Sequence, residues 1–257
     1  AELKIENVKL KIASMLRISL LGIPIDPVTI EEAIRRVEEM LKGSKQCHVM
    51  TPNNEMLVEA HRSPTFKQVL IQSDLNLPDS TGLLWAARRN GERIPERVSG
   101  VDFVERLCGG LDESASVFFL GGRSGAANGT AKKLQIANCK LQIAGMHEGS
   151  PREVDAQEIV DRVNASGAKL LLVAYGAPTQ DLWIAKHLSQ MPTVRVAMGV
   201  GGTFDFLSGN VQRAPRFMRS IGMEWLWRVI LQPWRIKRIW TAVVTFPVLV
   251  LTSKKQN

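Results

Sequence analysis

"AKLLLVAYGAPTQDLWIAKHLSQ", Ala168 to Gln190, is the stretch on which the fold turns. An apolar run stops at Gly-Ala-Pro, and a helix-like segment opens at once. The run has no period of two, as expected of a strand covered on both faces. The same grammar recurs along the chain. "QCHVMTPN" precedes "NEMLVEAHRS", "DLNLPDS" precedes "TGLLWAARRN", and "ASVFFLGGRSG" precedes "AANGTAKKLQIA". "TVRVAMGVGG" precedes "TFDFLSG". Such alternation argues an α/β fold with a mostly parallel sheet flanked by helices.

Each strand-like run ends in Gly, Pro, Asn, Asp or Thr. In open parallel sheets ligands bind at these carboxyl ends, where loops and helix N-termini converge. "TPNNE", "PDSTG", "GGRSG", "GAPTQ" and "GVGGTFD" are therefore expected to share one cleft. The pattern changes near "RAP", Arg213 to Pro215. The residues beyond it read as helical, broken at Pro233. We expect a catalytic core over residues 15–210 and a helical, basic, Trp-rich appendage over 211–257 that docks on a membrane or else packs as an amphipathic helix pair on its own core or in an oligomer interface. Within the appendage, "EWLWRVILQPWRIKRIW" (Glu224 to Trp240) holds four of the chain's six tryptophans.

The chain has 257 residues and a formal net charge of +8. That length suits one large domain, or one with an appendage. The charge implies an anionic partner: nucleic acid, acidic lipid or a phosphorylated substrate. Cys47, Cys108 and Cys139 show no C-x-x-C spacing, which argues against a disulfide framework and a zinc site. They read as three isolated buried thiols in a reducing cytoplasm. The lysine-interrupted opening residues are not expected to act as a signal peptide. The longest apolar stretch, "TAVVTFPVLVLT", is too short to span a bilayer and contains Pro247. A soluble or membrane-associated protein is expected. Leu3 and Leu134 begin two similar segments, "LKIENVKLKIA" and "LQIANCKLQIA", but one echo is not a repeat architecture.

Several residues carry two readings. Asp79 in "LPDSTG" suits a helix cap or a general base at a cleft mouth. Thr51 and Asn53 in "TPNNE" suit a turn and a cap, or the hydroxyls of a sugar. "GGRSGAANG", with Gly122, and "GVGGT", with Gly201, are tight βα turns or phosphate cradles. Asp205, between two phenylalanines, suits a buried carboxylate bonded to glycine amides, or a ligand contact. Gln180 opens a helix, with Trp183 packed one turn on. There is no D-x-D, no G-x-x-x-x-G-K-[ST] and no G-x-S-x-G. A diphosphate leaving group would have to be met by arginines and backbone amides. The appendage offers Arg213, Arg216, Arg219, Arg228, Arg235 and Arg238.

"TPNNE", "LPDSTG", "PERVSGVD", "GAPTQDLWI", "GVGGTFDFLSG", "QRAPRFMRSIGMEWLWRVI" and "QPWRIKRI" occur in that order. Together they resemble the WecG/TagA/CpsF glycosyltransferase family, over roughly Leu16 to Trp240. The resemblance implies a Rossmann-like core and a bacterial enzyme that moves a sugar, of N-acetylmannosamine type or a related hexose, from a UDP-sugar. The implied acceptor is N-acetylglucosamine on a polyprenyl diphosphate, and the products are cell-surface polysaccharides such as wall teichoic acid or exopolysaccharide. It implies inversion, no metal, no cofactor, and a peripheral position on the cytoplasmic face of the plasma membrane. By the same resemblance Asp79 is the catalytic base with Thr51 beside it. Asn53, Gln180 and Asp205 bind substrate, with the donor phosphates near Gly122 and Gly201. Arg228, Arg235 and Arg238 reach a diphosphate.

Two departures stand out: Asp181 replaces the family's usual Glu, and "GMHEGSP" lacks the aromatic that often follows its last glycine. The expected partners are the UDP-sugar, the polyprenyl-diphosphate acceptor and an anionic membrane, with homo-oligomers left open. Removing residues after Val211 is expected to improve solubility and abolish transfer. Two rival readings are a non-catalytic UDP-sugar-binding protein and a nucleic-acid-binding module. Interleaved Trp and basic residues suit stacking on single strands, but no nucleic-acid motif appears, and none is expected as a partner.

Overall fold

The computed structural model describes residues 17–215, 217–218, 224–231, 233 and 236–253, with no side-chain description at 224, 225 and 228. A small antiparallel hairpin comes first, β1 (Ile18–Leu20) and β2 (Ile23–Ile25). It turns on Leu21 and Gly22, at φ 54° and 76°, the left-handed pair that tight hairpins require. Helix α1 (Ile30–Lys42) is next, capped by the Thr29 hydroxyl, which accepts from the Glu32 N–H at 3.2 Å. Its buried residues Ile30, Ala33, Val37 and Leu41 form one stripe, the helical period of an amphipathic face.

Six parallel strands make the main sheet: β3 (Cys47–Met50), β4 (Leu75–Asn76), β5 (Ser116–Gly121), β6 (Gln142–His147), β7 (Leu170–Ala174) and β8 (Val196–Gly199). Their spatial order is β4-β3-β8-β7-β5-β6. Between them run α2 (Asn54–Arg62), α3 (Pro64–Gln72), α4 (Thr81–Arg89), α5 (Gly100–Gly110), α6 (Ala126–Ala137), α7 (Glu153–Ser166) and α8 (Thr179–His187), and α9 (Thr203–Leu207) follows β8. The architecture is the expected one, a parallel α/β sheet of Rossmann-like kind.

The strands look featureless in sequence because both faces are buried. The faces nonetheless divide with period two. Val49, Val117, Phe119, Leu170, Leu172, Val196 and Met198 join the cluster under α1, α5 and α6. Phe118, Leu120, Leu171, Val173 and Ala197 point to the opposite face, toward α7 and α8. The strand that no sequence signal announced, β6, lies at one edge of the sheet, and the short β4, within the "DLNLPDS" run, lies at the other. β6 is largely exposed or half-buried, so its composition is mixed, and its first half is the end of the Leu134 echo.

After Pro215 the described residues are helical: α10 (Glu224–Leu231), α11 (Ile236–Trp240), a π-helical turn (Thr241–Thr245) and α12 (Phe246–Thr252). The far end of this segment is packed into the core. Phe246 and Val250 are 0% and 6% exposed, in one cluster with Met50, Leu57, Leu83 and the β1–β2 hairpin. The expectation that removing residues after Val211 would improve solubility is therefore corrected: the cut strips a core wall and bares apolar surface. The thiol expectation is corrected too. Cys47 and Cys108 are buried, but Cys139, in the turn after α6, is exposed. Among the described residues no helix is long and apolar enough to cross a membrane.

Candidate active site

The carboxyl ends of β3, β4, β5, β7 and β8 open into one cleft of about 840 Å³. Thr51, Asn53, Asp79, Gly122, Gln180, Gly201, Asp205 and Arg238 all line it. Loops separated by more than a hundred residues converge because parallel strands deliver every βα loop to the same edge. Arg235 and the side chain of Arg228 lie outside the described residues.

Asp79 is not a helix cap. Ser80 takes that role for α4, its hydroxyl accepting from the Leu83 N–H at 3.3 Å. The Asp79 carboxylate is thereby left to the cleft, its side chain 27% exposed. The Asp79 N–H donates to the Pro52 carbonyl at 3.0 Å. Its Oδ2 accepts from the Gly100 N–H at 3.2 Å, at the first residue of α5, where a helix favours negative charge. Arg97 Nε stands 4.0 Å from Oδ1. Thr51 is its neighbour: Asp79 Oδ2 and Thr51 Oγ1 lie 3.5 and 3.7 Å from the point where a Cβ on Gly100 would stand. A hydroxyl and a carboxylate thus face the same space, and glycine at 100 keeps that space open.

Asn53 is the N-cap of α2, its Oδ1 accepting from the Met56 N–H at 3.1 Å. Its amide NH2 and the second lone pair of Oδ1 are the groups it can offer a ligand. Gln180 is 3% exposed. Its Oε1 accepts from the N–H groups of Gly176 and Gly201, both at 2.9 Å. The side chain thus latches the loop after β7 to the loop after β8, and only its Nε2 is left for other contacts. Gly201, at φ 51°, spends its N–H on that latch. Gly122, at φ 79°, donates weakly to the Ala174 carbonyl at 3.4 Å, and a Cβ there would press on Phe204 and Ala126. These two glycines supply room for a ligand more than hydrogen-bond donors. Asp205 sits half-buried on α9 at the cleft wall.

The geometry adds residues that sequence reasoning left unassigned. Arg97, inside "PERVSGVD", and Arg123, inside "GGRSG", line the cleft. With Arg238 they bring three guanidinium groups to its wall. Arg238 Nε donates to Glu55 Oε2 at 2.6 Å, which fixes the far helices against α2. Arg213 forms a bidentate pair with Asp102 at 2.6 and 2.7 Å and reaches Ser99 Oγ at 3.3 Å. That fork pins the start of the last segment to the helix whose N-terminus faces Asp79. Tyr175 also lines the cleft, its ring edge-on to Trp183 at 6.2 Å. Burial, and then the Asp155 carboxylate, hold its phenol well above the usual tyrosine range. Asp181, the residue that departs from the family pattern, is fully buried with His48 Nε2 at 3.8 Å. Among the described residues no three His, Cys, Asp or Glu side chains stand together as metal ligands would.

An open parallel sheet with a cleft at its carboxyl edge defines a Rossmann-like α/β protein. The chain belongs to the glycosyl transferase WecG/TagA/CpsF family, whose match covers residues 18–257. A relative from Bacillus spizizenii (strain ATCC 23059 / NRRL B-14472 / W23) is 32% identical over 77% of this chain and 77% of its own length. Another, from Bacillus subtilis (strain 168), is 29% identical over 81% of this chain and 79% of its own. Both are named N-acetylglucosaminyldiphosphoundecaprenol N-acetyl-beta-D-mannosaminyltransferase. The match extends through the last helices, so the family pattern includes the segment that closes the core with Phe246.

Proposed function

We propose that this chain transfers a sugar of N-acetylmannosamine type from a UDP-sugar to an N-acetylglucosamine carried on a polyprenyl diphosphate. The observation that carries the reading is the meeting of Thr51 and Asp79 around Gly100, in a cleft whose wall also carries Arg97, Arg123 and Arg238. Asp79 accepts the proton of the acceptor hydroxyl as that oxygen attacks the anomeric carbon. The bond from that carbon to the diphosphate oxygen breaks, and UDP departs with the electron pair. The anomeric centre inverts in a single displacement. Thr51 and the Asn53 amide hold hydroxyls near the reacting carbon. Arg97, Arg123 and Arg238 meet the charge that develops on the diphosphate, the interaction that matters most in such a step.

The same reading puts the last helices against a membrane. Ile230, Ile236, Trp240, Val248 and Leu251 are 51–64% exposed, beside Lys237 and Arg238. Apolar side chains and a Trp among basic residues suit an anionic bilayer interface. A peripheral position on the cytoplasmic face would bring the cleft to its lipid-linked acceptor.

The test is UDP release with a short-chain lipid-diphosphate N-acetylglucosamine and a panel of UDP-sugars, with and without EDTA. Transfer from one donor, unchanged by EDTA and reduced about 10²- to 10⁴-fold in Asp79→Asn, is the expected outcome. Near-normal turnover in folded Asp79→Asn removes the base assignment. Tight UDP binding with no turnover of any donor would make the chain a sugar-nucleotide-binding protein.

A further inference from the structure

Asn54, the first residue of α2, stands between the Asp79 loop and the last helices. Its Nδ2 donates to the carbonyl of Ala242 at 2.8 Å, inside the π-helical turn. Its Oδ1 accepts from Ser80 Oγ at 2.7 Å. Ser80 caps α4 and is bonded through the chain to Asp79. One amide therefore touches the C-terminal segment with its donor side and the Asp79 loop with its acceptor side.

The arrangement is specific to this side chain. Asp cannot donate, Ser is too short to span both partners, and Gln is one methylene longer. The opposing backbone is shaped to the amide: a Cβ at Gly82 would overlap Asn54 Nδ2 and Oδ1. The segment it grips is itself docked, through Phe246 and Val250 in the core and Arg238 on Glu55. Single π turns of this kind recur at functional sites.

We propose that Asn54 is a positioning residue: it ties the docking of Thr241–Thr252 to the placement of Asp79, so that the base is set only while the C-terminal segment is seated. The activity arm of the test rests on the function proposed above; the coupling itself does not. Asn54→Asp isolates the link. It keeps the size and the acceptor for Ser80, and a carboxylate at the start of α2 suits the helix. Only the bond to Ala242 is replaced, by a repulsive pair of oxygens. Phe246→Ala loosens the same segment from the opposite end with Asn54 intact.

Two readouts apply to both variants. In the transfer assay kcat should fall about ten- to a hundredfold, the scale of a small misplacement of a reacting group. Donor KM should stay within about twofold, since the donor's own contacts remain. In hydrogen exchange of Asn54→Asp, the amides of 241–246 and of 80–83 should both exchange faster while β5 and β7 stay protected; in Phe246→Ala, where all protection falls with the global stability, these two segments should lose more than β5 and β7 do. Loosened 241–246 with unchanged 80–83, or kcat within twofold of the parent in both variants, overturns the proposal. If the parent chain transfers no sugar, the function reading fails, and the paired exchange still decides the coupling.

Discussion

Replacing Gln180 by Leu separates a latch from a ligand contact. The structure commits Gln180 Oε1 to two backbone donors, Gly176 and Gly201, each at 2.9 Å. Leu has nearly the same volume and no acceptor. Two N–H groups then lose their partner. A buried unsatisfied donor costs about 1–3 kcal/mol. Both glycines are only half-buried, so water can partly compensate, and the low end applies: about 1 kcal/mol each, or about 2 kcal/mol in all. For a chain of this size that is about 4–8 °C in Tm. The assay is a thermal melt of the ligand-free protein, with hydrogen exchange at Gly176 and Gly201. Both amides should exchange faster, and donor KM should rise because the loops after β7 and β8 are no longer tied. A residue whose only role is to touch the donor would leave the ligand-free melt unchanged. A Tm within about 1 °C of the parent, with both amides still protected, refutes the latch.

Burial sets two further outcomes. Phe246→Ala should destabilise the whole fold by about 3–5 kcal/mol in denaturant titration, the cost of emptying a fully buried aromatic site; a loss under about 1 kcal/mol would mean that α12 is not part of the core. For the thiols, burial pushes Cys108 up to about 12. Native protein at pH 8 should label rapidly at Cys139 and slowly at Cys108 and Cys47, whose thiol is also raised, first by burial and then by Asp74. Between about pH 9 and 12 the unfolded Cys108 thiol ionises while the folded one stays protonated. Its contribution to stability is whole below pH 9 and is lost toward pH 12, at up to about 1.4 kcal/mol per pH unit. Cys108→Ala should flatten the pH dependence of stability in that window by the same slope, and an unchanged slope would place the thiol in water.

The doubly covered strands were legible because their apolar runs and turn residues repeat, and the loops that end them named most of the cleft. The roles inside the cleft were less legible. Asp79 and Ser80 are equally good caps in sequence, and only the structure shows that Ser80 takes the cap while the Asp79 carboxylate lines the cleft. Asn53 and Gln180 carry polar groups that backbone amides consume, and a sequence does not show which lone pairs are already used. Arg97 and Arg123 stood in recognisable motifs but gave no signal of their own, since a single arginine in a loop is ordinary. β6 escaped because an edge strand carries half the burial and so half the pattern. Cys139 was misread because burial was assigned from residue type alone, although it comes after an Asn in a turn.

The apolar residues of the C-terminal segment divide between two faces. Phe246 and Val250 are in the core, while Val248 and Leu251 on the same short helix are 53% and 51% exposed. In α11, Ile239 is buried and Ile236 and Trp240 are exposed. A helix spread over about 100° per residue can present apolar side chains to two partners at once. One face holds the segment on α2, where Asn54 and Glu55 grip it. The other is exposed among the described residues, and an anionic bilayer is the partner proposed for it above. Under the function proposed above, whatever pulls on the outer face is felt at the inner one, and the inner face is two hydrogen bonds from the Asp79 loop. Activity with soluble short-chain acceptors should therefore rise on adding anionic vesicles, and this rise should vanish in Asn54→Asp even where the vesicles still bind.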